Sequence, residues 1–304
     1  MSLLNLSRNQ NGMAILLSLL ILVLLVTLIL DFDSETRSDL RAAGNFRDEQ
    51  KAYLLAQSAV NAARAVLRDD LAHSTIDSLT EFWATPLPPF PVGDGILTGA
   101  ITDEAGKFNL NQLVSNGKVD KNKYAILRRL FELLKLNPDL ADPIVDWIDV
   151  DNEPMSQGAE EGYYQSLNPP YHCKNGPMDT LSELHQVKGF DDLTYNKVAP
   201  YLTVYGDGKI NLNTADPMLV QALDPGIDEG LARRLVENRP WDSPQKIADL
   251  LGKPLYNNIN PYLSVKSQVF SIQAEGKVGD TVKRIDAVVL RSGSDLPFLY
   301  YRVE

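Results

Sequence analysis

The stretch Gly12-Met-Ala-Ile-Leu-Leu-Ser-Leu-Leu-Ile-Leu-Val-Leu-Leu-Val-Thr-Leu-Ile-Leu30 decides the fold of this chain. Residues 13–30 carry no charge, and as a helix they would be roughly 27 Å long, close to the thickness of a bilayer's hydrocarbon core. A polar leader precedes them. Residues 31–71, which follow, are charged but contain no proline and a single glycine, Gly44. The sequence therefore predicts one long helix, apolar in its first third and amphipathic afterwards.

The start of the apolar run distinguishes between several kinds of N-terminal segment. A cleaved secretory signal needs small residues at the far end of its core, but Leu28-Ile-Leu-Asp-Phe32 offers none, so a signal anchor fits better. Gly12, placed after a polar leader and directly before the apolar core, resembles the class III leader of type IV pilins and pseudopilins. That resemblance implies cleavage after Gly12 by a prepilin peptidase and methylation of the new amino terminus, Met13.

One position departs from the pilin pattern. Most such subunits carry a Glu at the fifth position of the mature chain, where it neutralises the amino terminus of a neighbour, whereas this chain has Leu17. A carboxylate in hydrocarbon costs several kcal/mol unless it is paired. A subunit with no neighbour above it would lack that partner, so Leu17 points to the tip of a filament.

The composition limits the classes of function. The chain has 304 residues, 44% of them hydrophobic and 23% charged, which is ordinary globular usage with room for one large or two smaller lobes. A net charge of −11 argues against a phosphate-binding surface as the main function. The single cysteine, Cys173, excludes an internal disulfide.

Strand signals lie at both ends of the remaining chain, with helical sequence between them. We predict strands over residues 95–103, 263–273, 281–291 and 296–303, with Gly276 and Gly279-Asp280 turning a hairpin. Residues 84–91 contain four prolines and are predicted to be a loop. Small and apolar residues recur at helical spacing and predict a packed face on the long helix: Leu40, Ala43, Ala52, Leu55, Ala56, Ala59, Ala63, Val66 and Leu67. The pattern indicates a sheet domain interrupted by an insertion.

The middle of the chain contains a weak internal repeat. Lys107-Phe-Asn-Leu-Asn-Gln-Leu113 is echoed by Lys209-Ile-Asn-Leu-Asn-Thr-Ala215, and Pro200-Tyr-Leu-Thr-Val204 by Pro261-Tyr-Leu-Ser-Val265. Each unit runs from an Asn-Leu-Asn turn through short helices to a Pro-Tyr-Leu strand start. The first unit is longer, and most of the excess is a loop-like insertion at residues 149–178.

This insertion carries the strongest chemical signal. Eight acids fall between residues 139 and 161, with no Lys, Arg or His among them: Asp139, Asp142, Asp146, Asp149, Asp151, Glu153, Glu160 and Glu161. So many carboxylates repel one another unless the loop is well solvated or a cation is bound. Asp149-Val-Asp151-Asn-Glu153 places carboxylates at alternate positions, as calcium loops do, and Gly158 permits a sharp turn. The alternative is a solvated acidic loop.

Other chemistries have weaker support. Asp146 has an alternative role as a helix cap or a solvent-facing side chain, with Trp147 entering the core. Zinc is disfavoured because His73, His172 and His185 are scattered along the sequence. The sequence has no phosphate loop or nucleophile motif, so an enzyme is not expected.

A second candidate site is residues 210–252, which resemble a helix-hairpin-helix module. The hairpin reads Asp224-Pro-Gly-Ile-Asp-Glu229, and its acids would repel the phosphates that such hairpins bind. Basic residues follow it at Arg233, Arg234 and Arg239. Packing is therefore the expected role of this module, and nucleic acid is not an expected partner.

Taken together, the chain resembles the general secretion pathway protein K family, the largest minor pseudopilins of type II secretion. Besides Gly12 and Leu17, the matching motifs are Thr102-Asp-Glu-Ala-Gly-Lys-Phe-Asn-Leu-Asn111, Asp146-Trp-Ile-Asp-Val-Asp151, Gly158-Ala-Glu-Glu-Gly-Tyr-Tyr164 and Lys209-Ile-Asn-Leu-Asn-Thr-Ala215. The resemblance implies an α+β, pilin-like fold in which a long N-terminal helix packs on an antiparallel sheet, with a large α-helical insertion. It also implies bound calcium. The expected ligands are first Asp149, Asp151, Glu160 and Glu161, then Asp146 and Glu153.

The implied organisation and function follow from the same resemblance. We expect a leader at residues 1–12, a transmembrane segment at 13–30, a pilin-like core at 31–106 and 262–304, and an inserted α-helical domain at 107–261. The subunit would be anchored in the bacterial inner membrane with most of the chain in the periplasm. There it would join minor pseudopilins I and J at the tip of a pseudopilus built from the major pseudopilin, and start assembly for the export of folded proteins. The alternatives are a membrane-anchored DNA receptor of a competence system and a lone calcium-binding membrane protein.

Overall fold

A single uninterrupted helix forms the N-terminal part of the molecule. The structure is a computed structural model that describes residues 10–293 and 295–304, with side chains from residue 12 onward. Helix α1 spans Gln10–His73, which confirms the predicted long helix. Within the described residues it is the one helix long and apolar enough to cross a membrane, and its most apolar 18-residue window has a mean hydropathy of 3.2 and is 0% buried. Of the predicted leader, residues 1–9 lie outside the described residues.

Helix α1 changes its surroundings along its length. The side chains of residues 12–43 are all exposed, including Leu40 and Ala43 of the predicted packing face. The later members of that face, Ala52, Ala56 and Leu67, are completely buried. The amphipathic pattern therefore predicts the packing of the second half of α1 correctly, but the predicted packing face starts before the helix reaches the rest of the protein.

The second half of α1 lies on an antiparallel sheet. The sheet has five strands: β1 (Leu87–Val92), β2 (Gly95–Asp103), β9 (Val269–Val278), β10 (Thr281–Leu290) and β11 (Phe298–Val303). They lie in the order β1-β2-β9-β10-β11. The sheet and α1 bury a common hydrophobic cluster, in which Trp83 meets Phe270 with ring centroids 5.2 Å apart.

The structure corrects three details of the strand prediction. Residues 84–91 are not all loop, because β1 is an edge strand, where prolines without an N–H do not interrupt a ladder. The predicted strand 263–273 is two strands, with β8 (Leu263–Ser264) separate from β9. Gly279-Asp280 forms the hairpin turn as predicted, but Gly276 lies inside β9. A Cβ on Gly276 would meet the carbonyl oxygen of Ala52 and, at 2.6 Å, the nitrogen of Ala56, so this glycine lets α1 approach the sheet.

The elements between β2 and β9, residues 104–268, bury a hydrophobic cluster of their own and are called the inserted domain below. Its helices are α2 (Lys121–Leu133), α3 (Ala141–Ile148), α4 (Glu161–Gln165), α5 (Asp192–Val198), α6 (Pro217–Ala222), α7 (Glu229–Glu237), α8 (Ala248–Leu251) and α9 (Lys253–Ile259). Its short strands are β3 (Phe108–Asn109), β4 (Val114–Ser115), β5 (Lys118–Val119), β6 (Leu202–Thr203), β7 (Ile210–Asn211) and β8.

The internal repeat has a structural counterpart. Strand β3 pairs in parallel with β6 at the end of the first unit, and β7 pairs in parallel with β8 at the end of the second. In each Asn-Leu-Asn turn, the side chain of the last Asn makes two hydrogen bonds to the backbone of one distant residue: its N–H₂ group donates to the carbonyl oxygen, and its oxygen accepts from the N–H. Asn111 does so with Met178 (2.9 and 2.8 Å), and Asn213 does so with Trp241 (3.0 and 2.7 Å).

Candidate metal centre

The side chain of Asp146 organises the acidic loop that follows α3. Asp146 lies in the last turn of this wholly buried helix and is 0% exposed, which excludes the solvent-facing alternative. Its carboxylate accepts backbone N–H bonds from Met155 (3.1 Å) and Ala159 (2.7 Å), so the loop closes over it. A Cβ on Gly158 would collide with the Asp146 carboxylate. The glycine is therefore required by this close approach and not only by a turn.

Three buried carboxyl groups converge inside the loop. Asp146, Asp149 and Glu160 each offer an oxygen, and these oxygens lie within 4.8 Å of one another. Asp149 is 8% exposed and Glu160 is 6% exposed. Asp149 Oδ1 and both carboxylate oxygens of Glu160 are buried without a hydrogen-bond partner. Because an unpartnered buried carboxylate is costly, this geometry indicates a cation-binding site.

The electrostatics of the cluster agree with its geometry. Burial, with added repulsion from neighbouring carboxylates, raises the pKa of Asp146 and of Asp149 to about 6 and that of Glu160 to about 7. Asp151 is among the repelling groups for all three. A divalent cation would remove this repulsion, since it supplies the positive charge that the carboxylates face in place of water.

The other predicted ligands lie in different surroundings. Asp151 is exposed beside the cluster, and its side chain accepts from the backbone N–H of Glu153 (2.9 Å), which is also exposed. Glu161 points elsewhere: its oxygens meet His172 Nδ1 (2.6 Å) and the backbone N–H of Cys173 (2.9 Å). The structure thus brings together three of the six predicted residues, and the ranking that put Glu161 before Asp146 does not match the geometry.

One more side chain beside the acidic loop, Asn175, was not among the predicted residues. Asn175 donates to the carbonyl oxygen of Asp151 (3.1 Å), while its own side-chain oxygen is buried without a partner. Its backbone is left-handed, with φ of 46°, a conformation that Asn tolerates better than most residues. The sequence carries no signal that would single out this Asn, because its backbone conformation and its partner are seen only in the structure.

The donor set suits a hard cation. All the convergent atoms are oxygens, which calcium prefers and accepts in numbers of six to eight from flexible loops. The Cys173 thiol lies next to the cluster and donates to the carbonyl oxygen of Asp146 (3.7 Å), but burial raises its pKa to about 11. Zinc sites are usually built from several Cys and His side chains, whereas the three converging groups here are all carboxyl groups. The residues present therefore fit calcium.

A second group of acids has a different explanation. Asp70, Asp77 and Glu81 also converge, but the guanidinium of Arg291 lies among them, 2.6 Å from Asp70 and in contact with both oxygens of Asp77. An arginine that already supplies the positive charge leaves this group no need of a metal.

The hairpin between α6 and α7 is built for packing. Asp228 caps α7 by accepting from the backbone N–H of Leu231 (2.7 Å), and Ile227 is completely buried. Arg239 donates to the carbonyl oxygen of Ala215, and burial lowers its pKa to about 10. Arg233 pairs with Glu229 at 2.7 Å on the surface. Two of the three arginines that follow the hairpin, Arg233 and Arg239, are thus bonded to other groups of the protein.

Comparison with known proteins decides the family. Two protein-family models described as "Type II secretion system (T2SS), protein K" match residues 106–207 and 210–272 of the sequence. The type II secretion system protein K of Aeromonas hydrophila is 32% identical over 312 residues, covering 93% of this chain and 94% of the relative. The chain belongs to the type II secretion system protein K family. Its members are minor pseudopilins, structural components of the secretion apparatus.

Further relatives agree with this assignment. The Pseudomonas aeruginosa protein K is 29% identical over 304 residues, covering 95% of this chain and 90% of the relative. A chain of the GspK-GspI-GspJ complex from enterotoxigenic Escherichia coli has the same fold, with a TM-score of 0.73 and 22% identity over 89% of this chain and 99% of that one. The predicted pilin-like α+β fold with an inserted helical domain is therefore confirmed.

Proposed function

We propose that this minor pseudopilin caps a type II secretion pseudopilus, a short periplasmic fibre that grows from the inner membrane and exports folded proteins. It joins minor pseudopilins I and J at the tip and starts assembly there. One observation carries the proposal: α1 is a single helix whose apolar first third is 0% buried, while its second half packs against the five-stranded sheet. Such a helix needs lipid or neighbouring apolar helices around it, and a fibre supplies the helices.

Two features support the tip position. Leu17 stands where pilins carry the Glu that pairs with a neighbour, so this subunit does not need that neighbour. The inserted domain adds a second hydrophobic core beside the unit formed by α1 and the sheet. We propose that this added bulk leaves no room for another subunit above it. The family relative solved with GspI and GspJ supports I and J as partners.

Two experiments on the full-length chain test the proposal. Co-expressed in a bacterium with the prepilin peptidase, the chain is expected to co-purify in detergent with minor pseudopilins I and J. Mass spectrometry is expected to find a methylated Met13 as the amino terminus. An intact Met1 together with no capture of I or J contradicts the proposal. Salt-dependent DNA binding in their place would instead favour the competence receptor.

We further propose that calcium is held by Asp146, Asp149 and Glu160, with Asn175 and Asp151 beside them. The unpartnered oxygens of Asp149 and Glu160 support this assignment. Bound calcium would neutralise the three carboxylates and fix the α3–α4 loop. Calorimetric titration of the chelator-treated protein is expected to show calcium binding, with magnesium much weaker because it keeps its waters and demands octahedral geometry. Equal responses to both ions would contradict the assignment.

A further inference from the structure

The chain crosses between the sheet and the inserted domain twice, and the two crossings are bonded to each other. It leaves the sheet at Asp103, the last residue of β2, and returns through Ser267, just before β9. The Ser267 hydroxyl donates to Asp103 Oδ2 over 2.6 Å, and both residues are only 4% exposed. The entry and exit of the inserted domain therefore meet at one buried carboxylate.

Four donors saturate that carboxylate. Besides Ser267, Asp103 accepts from the Thr214 hydroxyl (2.6 Å), the Asn211 side-chain amide (3.0 Å) and the backbone N–H of Ala105 (2.8 Å). Asn211 and Thr214 belong to the second Asn-Leu-Asn turn of the inserted domain. Asp103 thus joins the end of a sheet strand to two other segments of the chain.

A buried ion pair ties the same crossing to α1. Arg291, which follows β10, bonds Asp70 near the end of α1 (2.6 Å) and the carbonyl oxygen of Ser267 (2.8 Å). It also contacts both oxygens of Asp77, which in turn accepts from the backbone N–H of Ser267 (2.7 Å). Helix, sheet and inserted domain therefore share one polar network.

Comparison of the two repeat units shows that, within the described residues, only the second unit bonds to the sheet through its Asn-Leu-Asn turn. Asn109 and Asn211 are equivalent, and each accepts the backbone N–H two residues on at 3.0 Å. The Asn109 side-chain amide donates within the inserted domain, to the carbonyl oxygens of Tyr205 and Gly206. The amide of Asn211 donates instead across the junction, to Asp103 and to the carbonyl oxygen of Asp77.

We infer that Asp103 is a positioning residue that locks the inserted domain and the α1–sheet unit into one rigid body. Any rotation between the two would leave several buried groups without partners, and such groups are expensive. The inserted domain is therefore carried by α1 as a fixed extension without a hinge. This inference rests on the junction alone and holds whether or not the chain caps a fibre.

Double electron–electron resonance, which measures the distance between two spin labels, tests the lock in the full-length chain in detergent. The labels are attached to cysteines introduced at two exposed positions, by N61C on α1 and L193C on α5. The native Cys173 is buried, and a labelling control on the chain without introduced cysteines shows whether Cys173 takes up any label. We expect one narrow distance distribution. Asp103→Ala removes the acceptor of all four donors and is expected to broaden the distance distribution about twofold or more. The control, Asp94→Ala, removes an exposed carboxylate bonded to Lys51 and should leave the distribution unchanged.

Hydrogen exchange gives the second readout. In the Asp103→Ala variant, amides of residues 264–268 are expected to exchange about tenfold faster or more, while those of α2 keep their protection. A broad distance distribution in the unmodified chain overturns the inference, and so does a narrow one in Asp103→Ala with unchanged exchange. If Asp103→Ala unfolds α2, the Thr214→Val variant is measured in its place, because it removes a single donor. A broader distribution in that variant supports the lock, and one like that of the unmodified chain overturns it.

Discussion

Replacing Glu160 by Gln should change the stability of the protein in opposite directions with and without calcium. Glu160 is 6% exposed, both its oxygens lack partners, and burial raises its pKa from 4.5 to about 7. Since each pKa unit corresponds to 1.36 kcal/mol, the ionised group costs the calcium-free fold about 3 kcal/mol. The neutral Gln avoids that cost, so calcium-free E160Q should be more stable than the unmodified protein.

The pH dependence follows from the same pKa. A carboxyl group whose pKa is higher in the folded state costs nothing below its unfolded value, and its full cost appears once the pH exceeds the folded value. The gain from E160Q should therefore be largest at about pH 8 and vanish at about pH 4. Calcium at about a thousand times its Kd should stabilise the unmodified protein by about 4.1 kcal/mol, and the variant, which lacks the proposed ionised ligand, by much less. Because about 4.1 kcal/mol exceeds the cost of about 3 kcal/mol in the calcium-free fold, the unmodified protein should be the more stable of the two with calcium.

Thermal unfolding of the full-length chain in detergent measures both effects. At about 2–4 °C per kcal/mol for a domain of this size, calcium at that concentration should raise the Tm of the unmodified protein by about 8–16 °C. The matched control is E153Q, which makes the same chemical change at an exposed acid of the same loop. Its Tm should equal that of the unmodified protein, both with and without calcium. The reasoning fails if calcium-free E160Q is no more stable than E153Q, or if both variants respond equally to calcium.

Two glycine substitutions test the close approaches seen in the fold. Gly158→Ala should abolish calcium binding, because its Cβ collides with the Asp146 carboxylate, whereas Gly162→Ala, with nothing within 4 Å of its Cβ, should bind normally in the same titration. Gly276→Ala should lower the Tm by several degrees, because its Cβ meets the backbone of α1 at Ala52. An unchanged Tm would mean that α1 does not lie this close to the sheet.

The elements that were correctly predicted are those with a local physical cause. Residues 10–73 form one helix because no proline or glycine pair interrupts them, and β2 and β10 alternate buried and exposed residues in part of their length. The proline-rich edge strand β1 was missed because the same residues serve a loop or an edge equally well. Only the neighbouring strand distinguishes the two.

The role of Gly276 was misread for a related reason. A glycine close to a hairpin is most simply explained by the turn, but this one sits where α1 crosses the sheet. The crossing joins residues more than 200 positions apart in the chain. No local pattern reports such a contact.

The sequence predicts where the acidic loop lies, but not which of its carboxyl groups converge. A density of like charges is visible in the sequence, but the direction of each side chain depends on how the loop closes. Asp146 turns inward because the loop N–H groups bind it, whereas Glu161 turns away toward His172. Asn175 and Asp103 could not be selected at all, since their partners are supplied by segments far away in the sequence.

The position of the chain in an assembled fibre tests the central proposal most directly. An epitope inserted at the exposed turn between Asn116 and Gly117 can be marked with immunogold on pseudopili in electron micrographs. We predict one gold particle per fibre, at the end distal to the membrane. Gold along the length of the fibres, or subunits stacked beyond the marked one, would contradict a capping role.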